Sequence, residues 1–566
     1  MIINGAEIIL KVLEEKGVEQ IFGLPGGAML PLYDQLTFSK LKHHLVRHEQ
    51  GAVHMAEGYA RSSGKLGVVF VTSGPGATNT VTGLADAKLD SVPLLVISAQ
   101  VTQSLIGTDG FQEADIVGIT LSATKHNDLI RNIHELEEAL IKAIDLALSG
   151  RQGPVLLDIP KDVMLAKTEY PRIPKVKFTL PKKPIQGNID DAARALCEAK
   201  KPVCYCGGGI ISANASDELN RIVKLLNLPV TPTLMGLGAI SGTDPNNLGM
   251  LGMHGTYASN MAVHESDCLF AVGVRFDDRV TNKLDEFAKF AKVIHIDIDP
   301  SEINKIRNAD WPIVGDAKEV LVKFHDAIIR YQQEFPENRP EHLNPWGDAI
   351  RSWQKKHPLH YKKDKHIIKP QDVITEVFEQ TKGNVITVTD VGQHQMWVAQ
   401  FFPILRPRTF LSSGGLGTMG FGLPAAIGAK FACPGEVVIA FLGDGSFQMN
   451  PQELSSLMNN QHPIKIIIFN NHSLGMVKQW QELFYDSRFS ATNLENNCPD
   501  FVKLADAYGI KSTRINEISK LSAGITEMLN YNGSYLLDVI VDEKEHVYPM
   551  VPAGCSSKDM LLLLKD

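Results

Sequence analysis

Val437-Val438-Ile439-Ala440-Phe441-Leu442, followed by Gly443-Asp444-Gly445-Ser446, is the stretch that decides the fold. A second apolar run, residues 464–469, is followed in the same way by Asn470-Asn471. Pro451 begins the segment between them, and proline is favoured in the first turn of a helix. An apolar run, a glycine loop, a helix and a second apolar run are typical of a right-handed parallel β-α-β unit.

This unit places Asp444 and Asn471 at one edge of the predicted sheet. Parallel neighbouring strands end on the same edge, so we expect the two side chains to point towards one place. A carboxylate and an amide oxygen are ligands that Mg²⁺ takes while it also holds phosphates. Flanking glycines let a diphosphate approach the backbone closely. One Gly-Asp-Gly turn alone would indicate an ordinary loop, whereas the pair favours a magnesium-diphosphate site.

The composition is that of a globular protein with several domains. At 566 residues the chain has room for about three or four domains of roughly 150 residues each. Its 44% apolar and 21% charged residues are ordinary for a soluble globular protein. A net charge of −8 without a basic patch argues against nucleic acid as a partner.

The cysteines and the N-terminus bear on the compartment. The seven cysteines show no zinc spacing, and their odd, scattered set fits a reducing compartment. Cys204 and Cys206 lie two residues apart in an apolar run, which predicts small core side chains on one face of a strand. No apolar run is long enough to span a bilayer, and the first residues enter an amphipathic helix instead of a targeting peptide. We therefore expect a cytoplasmic protein without a membrane partner.

Two polar, proline-rich stretches, residues 167–188 and 331–370, are predicted linkers. Between and beyond them, short apolar runs alternate with amphipathic segments. That alternation predicts an α/β fold of three doubly wound domains with parallel sheets. The predicted units are residues 1–166, 189–330 and 371–545, with a C-terminal tail of residues 546–566.

The middle unit has three strand candidates that resemble a nucleotide-binding sheet. Gly207 to Gly209 follow the first candidate, Gly273 follows the second, and the third ends at Asp297. Glycines near phosphates and an acid near a ribose are typical of such sheets. A clean G-x-G-x-x-G is absent, so NAD is only weakly indicated. A structural Rossmann-like domain explains these residues equally well.

His48 and Glu49 begin a predicted helix in the first unit. A single acid at this place would by itself indicate a solvated helix residue. The chain also lacks the sequence G-x-x-x-x-G-K-[ST], which disfavours a P-loop nucleotide hydrolase as the owner of the diphosphate site. The meaning of Glu49 therefore depends on further motifs.

Motifs along the whole chain carry a family resemblance. The general ones are His48-Glu49, Gly74-Pro75-Gly76-Ala77-Thr78-Asn79, Gly443-Asp444-Gly445 and Asn470-Asn471. More specific ones lie at residues 22–27, 107–113, 158–162, 250–255, 273–279, 389–397, 417–420 and 475–480. The first set resembles thiamine-diphosphate (ThDP) enzymes of the pyruvate-decarboxylase class. The full set, in this order, resembles the catalytic (large) subunits of acetohydroxyacid synthases, also called acetolactate synthases.

The resemblance implies what each unit does and what the reaction is. The first unit would bind the ThDP pyrimidine, the central unit would be of the FAD-binding type, and the third would bind the diphosphate and Mg²⁺. Pyruvate would lose CO₂ on ThDP, and the resulting hydroxyethyl group would condense with a second 2-keto acid. Pyruvate as acceptor gives 2-acetolactate, and 2-ketobutyrate gives 2-aceto-2-hydroxybutyrate. This is the first common step of valine, leucine and isoleucine biosynthesis.

Cofactor roles are implied residue by residue. Glu49 would hydrogen-bond to N1′ of the aminopyrimidine, and Met419 would hold the cofactor in its bent conformation. Asp444 and Asn471 would bind Mg²⁺ together with a backbone carbonyl near Ser473. The other residues implied at ThDP are Asn79, Gln393, His394, Gly417, Gly443, Gly445, Ser446, Gly475 and Met476.

Substrate roles are implied in the same way. Arg275 would hold the carboxylate of the second keto acid, which a guanidinium fork suits; an ion pair with Asp277 or Asp278 is the alternative. Trp480 would pack on the alkyl group of 2-ketobutyrate, with a plain core position as the alternative. The residues implied in the pocket and its access channel are Gly26, Phe111, Gln112, Lys161 and Met250. A surface position at a helix start remains open for Lys161.

FAD binding in the central domain is implied as well, although the net reaction involves no redox change. The implied contacts are Arg151, Gly207, Gly208, Gly209, Met253, His254, Gly255, Thr256, Gly273, Arg275, Asp297 and Asp316. The family also implies a homodimer or tetramer whose active sites lie between subunits. The partner's first domain would then hold the pyrimidine, and a separate small regulatory subunit is expected.

Two other classes of function compete with this interpretation. One is a related ThDP enzyme: an FAD-free catabolic acetolactate synthase, a glyoxylate carboligase or a pyruvate oxidase. The pair of Arg275 and Trp480 argues against that group. The other class is a catalytically silent nucleotide-binding or scaffold protein, against which the intact Glu49, Asp444 and Asn471 argue.

Overall fold

The structure, a computed structural model, describes residues 1–170, 184–338 and 340–562. Most of the first predicted linker, with Pro171, Pro174 and Pro181, and the last four residues of the predicted tail lie outside the described residues. None of the helices in the described ranges combines the length and the apolar character that a membrane crossing requires.

The first domain is a doubly wound α/β unit. Its strands are Ile2–Asn4 (β1), Gln20–Gly23 (β2), Lys42–Leu45 (β3), Gly67–Val71 (β4), Leu94–Gln100 (β5), His126–Leu129 (β6), Pro154–Pro160 (β7) and Lys167–Glu169 (β8). Its helices are Gly5–Glu15 (α1), Leu30–Leu36 (α2), Glu49–Ser63 (α3), Pro75–Thr78 (α4), Val81–Leu89 (α5), Ile116–Thr120 (α6), Ile133–Leu148 (α7) and Lys161–Leu165 (α8). Six strands form a parallel sheet in the order β3-β2-β4-β5-β7-β6, and β1 pairs with β8 in an antiparallel ribbon.

Strands β4 and β5 explain why this sheet needs helices on both faces. Every residue of both strands is buried, as expected for continuous apolar runs in a parallel sheet. Val69 and Val96 pack with helix α3 on one face, while Val68 and Leu95 pack with α1 and α7 on the other.

The central domain repeats the principle with five strands. They are Pro202–Cys206 (β9), Val230–Pro232 (β10), Cys268–Val272 (β11), Lys292–Asp297 (β12) and Trp311–Val314 (β13), in the parallel order β10-β9-β11-β12-β13. The helices are Ile189–Glu198 (α9), Gly208–Ser212 (α10), Ser216–Leu226 (α11), Tyr257–Glu265 (α12), Asp278–Thr281 (α13), Ala317–Glu334 (α14) and Asn344–Lys356 (α15). Cys204 and Cys206 are buried and unbridged in the same core cluster, which confirms the prediction for this pair.

The third domain carries the strand order of the first. Its strands are Ile386–Thr389 (β14), Phe410–Leu411 (β15), Val438–Gly443 (β16), Lys465–Asn470 (β17), Lys511–Ile515 (β18) and Tyr535–Ile540 (β19). Its helices are Pro370–Thr381 (α16), Gln393–Phe401 (α17), Gly422–Ala432 (α18), Asp444–Phe447 (α19), Gly475–Phe484 (α20), Phe501–Ala507 (α21) and Ile518–Asn530 (α22). The parallel order β15-β14-β16-β17-β19-β18 matches β3-β2-β4-β5-β7-β6 strand for strand.

Three predicted elements differ from the structure. The first predicted linker begins with strand β8, Lys167–Glu169, which pairs with β1 of the first domain. The segment that begins at Pro451 forms a 3₁₀ helix, Pro451–Leu457, instead of an α-helix. Its Glu453 turns inward and accepts hydrogen bonds from the backbone N–H groups of Arg47 and His48. The second predicted linker contains helix α15, whose Trp346 and Ile350 are buried against the central domain. The many prolines and charges of this stretch led to the prediction of a linker. Trp346 and Ile350 are four positions apart and therefore share one helix face.

Helices α3 and α18 join the first domain to the third. Their residues belong to one hydrophobic core that includes Ala56 and Ile427. Glycines allow the close approach: a Cβ at Gly58 would lie 2.0 Å from the Ala425 carbonyl oxygen, and one at Gly428 would lie 1.9 Å from that of Met55. No side chain fits at either place, so the two backbones are in direct contact.

Candidate active site

The strand order of the third sheet reverses between β14 and β16, and ligands bind at such switch points. The paired β16 and β17 end side by side, as predicted, with Gly443 opposite Phe469. Helices α17, α19 and α20 begin at Gln393, Asp444 and Gly475, directly after or close to strand ends. The first N–H groups of a helix have no backbone partner within it and suit an anion, although in α19 the Gly445 N–H already donates to Asp444 Oδ1 at 2.8 Å.

Asp444 and Asn471 lie buried at this edge and offer oxygen atoms that can bind a metal ion. Asp444 is 2% exposed, and its Oδ2 has no hydrogen-bond partner, as is also true of the buried Oγ of Ser473. Burial raises the pKa of the Asp444 carboxyl to about 7. Asn471 Oδ1 accepts a bond of 3.2 Å from the Ser473 backbone N–H. A buried carboxylate oxygen without a partner is the donor that a hard divalent cation needs, so these residues fit Mg²⁺.

Glycines shape the backbone around these donors. A Cβ at Gly443 would lie 2.9 Å from His394 Nδ1, and one at Gly445 would lie 2.5 Å from a methyl carbon of Leu474. At Gly475 it would lie 2.0 Å from Oε1 of Gln393. The Oγ of Ser446 accepts a bond of 3.1 Å from the Gly443 backbone N–H. A side chain at any of these three positions would displace neighbouring side chains, so the glycines keep the backbone accessible to a diphosphate.

Gln393 and His394 both lie in this region, but their side chains have different partners. Gln393 Oε1 accepts a bond of 3.3 Å from Asn471 Nδ2, and its Nε2 donates to Gln479 Oε1 at 2.9 Å. Burial lowers the pKa of His394 to about 3, so its imidazole is neutral. Its Nε2 is buried without a partner, which leaves one ring nitrogen available to a ligand.

Met419 lies half-buried in the loop between β15 and α18. The loop is held by carboxylates from two domains. Asp390 accepts hydrogen bonds from the N–H groups of Gly420 and Gly422, and Asp90 of the first domain accepts those of Gly414 and Gly415. Gly417, at φ +72°, is exposed at the tip.

Glu49 begins helix α3 at the carboxyl edge of the first sheet. It is 6% exposed, and its Oε2 accepts a bond of 2.9 Å from Asn79 Nδ2. Gly76 lies beside it, since a Cβ there would be 3.3 Å from Glu49 Oε1. The predicted pair of Glu49 and Asn79 is therefore in contact, with one carboxylate oxygen facing the glycine loop.

The other predicted first-domain residues lie at the same edge. Lys161, at the start of α8, donates to the carbonyl oxygen of Gly27 at 3.0 Å, so it is both a helix-start residue and a neighbour of Gly26. The backbone of Gln112, at φ +59°, packs on Gly74. Phe111 is 88% exposed, an unusual state for a large apolar side chain beside such a site.

A large cavity of about 1040 Å³ lies where the three domains meet. Central-domain residues line it, together with first-domain loops around Ser91 and Arg151 and third-domain residues of the Met419 loop and α20. Of the predicted residues it contains Arg151, Gly207, Gly208, Gly209, Met250, Met253, His254, Gly273, Arg275, Asp297, Asp316, Gly417, Met476 and Trp480. Gly255 and Thr256 do not line it, and Thr256 instead caps helix α12. The volume is at the upper end for pockets that hold large organic ligands.

Arg275 and Trp480 face this cavity from different domains. Both are half-buried. Among the side chains that the structure describes, none forms an ion pair with Arg275; Asp278 instead lies 3.9 Å from Arg279. The Trp480 ring lies 5.3 Å from that of Phe484 and is not enclosed in the core. Arg275 is nevertheless close enough to Asp277 to oppose the rise that burial causes in the pKa of that carboxyl, whereas the half-buried Trp480 is not a plain core tryptophan.

The cavity also contains an ion pair and two buried titratable groups. Arg151 donates to Glu302 at 2.6 Å and to the Ser91 hydroxyl at 2.9 Å. Burial raises the pKa of Asp297 to about 6 and lowers that of His254 to about 4. The hydroxyl of Tyr205 is buried without a partner beside Gly207. Glycines next to strand ends, an acid and an unsatisfied hydroxyl fit a nucleotide-type ligand such as FAD.

The C-terminal tail covers one side of this region. Val547 N–H donates to Gln479 Oε1 at 2.9 Å, and Val551 N–H donates to the Met253 carbonyl at 2.8 Å. Met550 and Leu561 exchange two backbone hydrogen bonds. The tail thus touches both α20 of the third domain and the central domain.

The structure does not bring all predicted residues together within one chain. No hydrogen bond in the described ranges joins the first-domain group (Gly26, Glu49, Asn79, Phe111, Gln112 and Lys161) to Gln393, Asp444 or Asn471, and none of that group lines the large cavity. Two partial sites therefore exist, one on the first domain and one shared by the central and third domains.

Sequence reasoning missed several residues that support the site. Gln479 lies inside the motif of residues 475–480 but was given no role. Asp90 and Glu453 make contacts between domains, and Ser91 accepts a hydrogen bond from Arg151 within the first domain. The position of Gln479 beside Trp480 was the only signal available. Asp90 accepts hydrogen bonds from residues 324 and 325 positions away, and Ser91 accepts one from a residue 60 positions away, which no local pattern reveals.

Comparison with protein families places each domain. The C-terminal TPP-binding domain of thiamine pyrophosphate enzymes matches residues 390–539, their central domain matches residues 189–324, and their N-terminal TPP-binding domain matches residues 3–119. All three matches together account for most of the chain and support thiamine diphosphate as cofactor.

Similar proteins extend over the full length. The acetolactate synthase isozyme 3 large subunit of Escherichia coli is 47% identical over 99% of this chain and 98% of its own length. The acetolactate synthase large subunit of Buchnera aphidicola from Schizaphis graminum is 46% identical over 100% and 99%, and acetolactate synthase of Mycobacterium leprae is 48% identical over 99% and 90%. The chain belongs to the thiamine pyrophosphate enzymes and, among them, to the acetolactate synthase family.

Proposed function

We propose that this protein is a biosynthetic acetolactate synthase catalytic subunit. It condenses pyruvate, with loss of CO₂, with a second 2-keto acid, either pyruvate or 2-ketobutyrate. The products are 2-acetolactate and 2-aceto-2-hydroxybutyrate, the precursors of valine, leucine and isoleucine. One observation carries the proposal: Arg275 and Trp480 line the same cavity as the loop and helix of the magnesium-diphosphate edge, and Arg275 forms no ion pair with any side chain that the structure describes.

The cofactor-binding residues support Mg²⁺ and thiamine diphosphate at that edge. Asp444, Asn471 and the main chain at Ser473 offer the oxygen ligands, and Gly443 and Gly475 leave room for the diphosphate. When bound, thiamine diphosphate supplies a carbanion equivalent that the protein itself lacks. The protein positions that group and excludes water from it.

Glu49 is the proton-handling residue of the proposal. Its buried carboxyl group would hydrogen-bond to N1′ of the aminopyrimidine and favour the tautomer that acts as a base. Asn79, which donates to one carboxylate oxygen, orients the other. Positioned acid-base groups contribute on the order of 10²–10⁴ in rate.

Arg275 and Trp480 choose the acceptor. The guanidinium forms paired hydrogen bonds with a carboxylate, which orients the keto group of the second substrate. The tryptophan ring offers an apolar face to the extra methylene of 2-ketobutyrate. One methylene in such a pocket is worth roughly 1–3 kcal/mol, so the preference should be clear without being absolute.

FAD in the large cavity is part of the proposal, supported by its volume, glycines and Asp297. A homodimer or tetramer with active sites between subunits is also proposed, because the first-domain group and Asp444 are not joined within one chain and Phe111 is exposed. A small regulatory subunit follows from the names of the relatives, which are large subunits.

A competition experiment tests the proposal. Purified protein with ThDP, Mg²⁺ and FAD receives pyruvate and 2-ketobutyrate together, and both acetohydroxyacids are quantified. We expect 2-aceto-2-hydroxybutyrate well beyond the substrate ratio. Formation of acetolactate alone, with no effect of FAD, would instead indicate the catabolic activity and would remove the proposed roles of Arg275 and the central cavity.

A further inference from the structure

Glu453 is a buried acid of the third domain whose side chain reaches the first domain. It lies on the 3₁₀ helix between β16 and β17 and is fully buried. Its Oε1 accepts hydrogen bonds of 3.0 Å from the backbone N–H groups of Arg47 and His48, and its Oε2 accepts a longer one of 3.3 Å from Arg47. A Cβ at Gly51 would lie 2.7 Å from Oε1. One carboxylate therefore touches the chain on both sides of Glu49.

These contacts bear on how helix α3 begins. His48 is extended, at φ −149° and ψ 140°, and Glu49 is the first residue of the helix. The direction of the Glu49 side chain depends on its own backbone and on the peptide groups that lead into the helix. The bonds to Arg47 and His48 fix the chain before Glu49, and the contact with Gly51 fixes the first turn after it.

The helix that carries Glu453 is itself held in place. The side chain of Asn450, at its start, donates to the Gly420 carbonyl at 2.8 Å, next to Met419. Leu454 is fully buried in a hydrophobic core that also contains Val46 of the first domain. Glu453 is therefore presented to the start of α3 from a segment that is anchored in the third domain and packed on the first.

The chemistry of the side chain distinguishes this contact from simple packing. Burial raises the pKa of the Glu453 carboxyl to about 7, and the hydrogen bonds from Arg47 and His48 oppose that rise. An apolar side chain would fill the same space without the cost of burying an acid, but it could not accept these bonds. The acceptor oxygen is thus the feature that the start of α3 uses.

We propose that Glu453 is a positioning residue that sets the direction of the Glu49 carboxyl group towards the aminopyrimidine. The inference rests on the proposed proton-handling function of Glu49 and adds a second residue to it. Glu453 does not line the large cavity, and within the described ranges its hydrogen bonds go to Arg47 and His48 instead of Asp444 or Asn471. Binding of Mg²⁺ and the diphosphate is therefore not expected to depend on it.

Two readouts test the inference on the full-length protein without turnover. The first is hydrogen exchange of the Arg47 and His48 amides in the cofactor-free protein, measured by mass spectrometry with fragmentation. The second is deuterium exchange at C2 of bound ThDP at saturating Mg²⁺, which reports directly on the proton transfer that Glu49 promotes. The affinity for ThDP, from calorimetry, is measured alongside.

Glu453→Asp and Glu453→Gln form a matched pair. Aspartate keeps the charge but withdraws the carboxylate by one methylene, whereas glutamine keeps the reach and one acceptor oxygen. We expect Glu453→Asp to slow C2 exchange by about 10–100-fold, because a misplacement of about 1 Å can cost about 100-fold. Exchange of the Arg47 and His48 amides should accelerate. Glu453→Gln should stay within about fivefold of the wild type in both readouts.

Gly51→Ala disturbs the same contact from the other side. Its methyl group would push the Glu453 carboxylate away from the two N–H groups, while alanine is a better helix former than glycine, so folding is not endangered. We expect the same loss of C2 exchange as in Glu453→Asp. The double variant should lose no more than the larger single effect, since both substitutions act through one contact.

Arg408→Gln is the control at the opposite end of α3. Arg408 of the third domain donates to the Arg61 carbonyl of α3 at 3.1 Å, roughly 18 Å from Glu49 at about 1.5 Å per residue. It should lower the free energy of unfolding and leave C2 exchange unchanged.

Wild-type C2 exchange in both Glu453→Asp and Gly51→Ala, or an equal loss in Arg408→Gln, would overturn the positioning role. So would additive losses in the double variant. A wild type that binds ThDP with Mg²⁺ but exchanges C2 no faster than free ThDP would overturn the proposed function of Glu49, and the role of Glu453 with it.

Discussion

Trp480 presents a single aromatic face to the cavity while its other side contacts Phe484. Because the ring is only half-buried, its replacement leaves the core of the third domain intact. Trp480→Leu should therefore fold normally and lose the apolar face on which the extra methylene of 2-ketobutyrate rests.

We expect Trp480→Leu to lower the preference for 2-ketobutyrate over pyruvate by about 10-fold or more, because contact with one methylene in such a pocket is worth roughly 1–3 kcal/mol. Acetolactate formation should change much less, because the first pyruvate does not depend on that face. The measurement is the product ratio in mixed-substrate assays, with Lys478→Gln, on the same helix but outside the cavity lining, as a control. An unchanged ratio would place the acceptor elsewhere.

A buried charged cluster lies under the Met419 loop. Asp86 Oδ1 accepts a hydrogen bond of 2.5 Å from the Ser413 hydroxyl, and His54 Nδ1 lies 2.9 Å from Glu57 Oε1. Burial raises the pKa of Asp86 and of Glu57 to about 8 each, and the Arg61 guanidinium opposes both shifts. Asp90 and Asp390 also face the cluster.

The cluster predicts a pH dependence of stability. A carboxyl whose folded pKa lies above its unfolded value stabilises the fold most below the unfolded pKa, and the contribution is lost as pH rises through about 8. Asp86→Asn cannot ionise but can still accept the Ser413 bond. Between pH 6 and pH 9 we expect the free energy of unfolding of the wild type to fall by about 1–3 kcal/mol more than that of the variant. Denaturant midpoints at each pH provide the measurement. If the stabilities of the wild type and the variant depended on pH in the same way, the Asp86 carboxyl would not titrate between pH 6 and pH 9.

At the scale of elements, the contact between α3 and α18 decides how the first and third domains are held. Gly428 lies against the Met55 carbonyl and Gly58 against the Ala425 carbonyl, so both contacts are backbone to backbone. A rigid backbone oxygen cannot move aside as a flexible side chain does.

Gly428→Ala should lower the free energy of unfolding by about 1–3 kcal/mol or more, since its methyl group overpacks the interface. Gly435→Ala is the control, because no atom lies within 4 Å of a Cβ at that position. Chemical denaturation of both variants checks the prediction. Equal midpoints would mean that the helices can separate without cost.

At the scale of the molecule, the division of site residues between domains predicts complementation. Glu49→Gln and Asp444→Ala should each be inactive alone. If Glu49 of one subunit acts with Asp444 of its partner, a mixed dimer has one intact site. An equal mixture, unfolded and reassembled together, should recover about one quarter of wild-type activity. Mixtures as inactive as the single variants would place both residues in a site formed by one chain.

The sequence predicted correctly those strands, turns and helix starts whose formation depends on residues close together in the chain. The run before Gly443 and the run before Asn470 are buried parallel strands that end side by side, since apolar runs and glycine turns act locally. The same holds for Glu49 at the start of α3 and for the glycines at the ends of β9 and β11. Helix α15 was missed because prolines and charges around it outweighed two buried aromatic and aliphatic positions.

The sequence by itself determined the three α/β domains, the family and the oxygen donors of the candidate metal site. Only the tertiary structure decided which distant groups meet: Gln479 with Gln393 and Val547, Asp90 with the Met419 loop, and Ser91 with Arg151 in the central cavity. The physical reason is that strand and helix patterns depend on residues a few positions apart. Hydrogen bonds between residues far apart in sequence depend instead on how whole sheets and helices pack, which no short window of sequence contains.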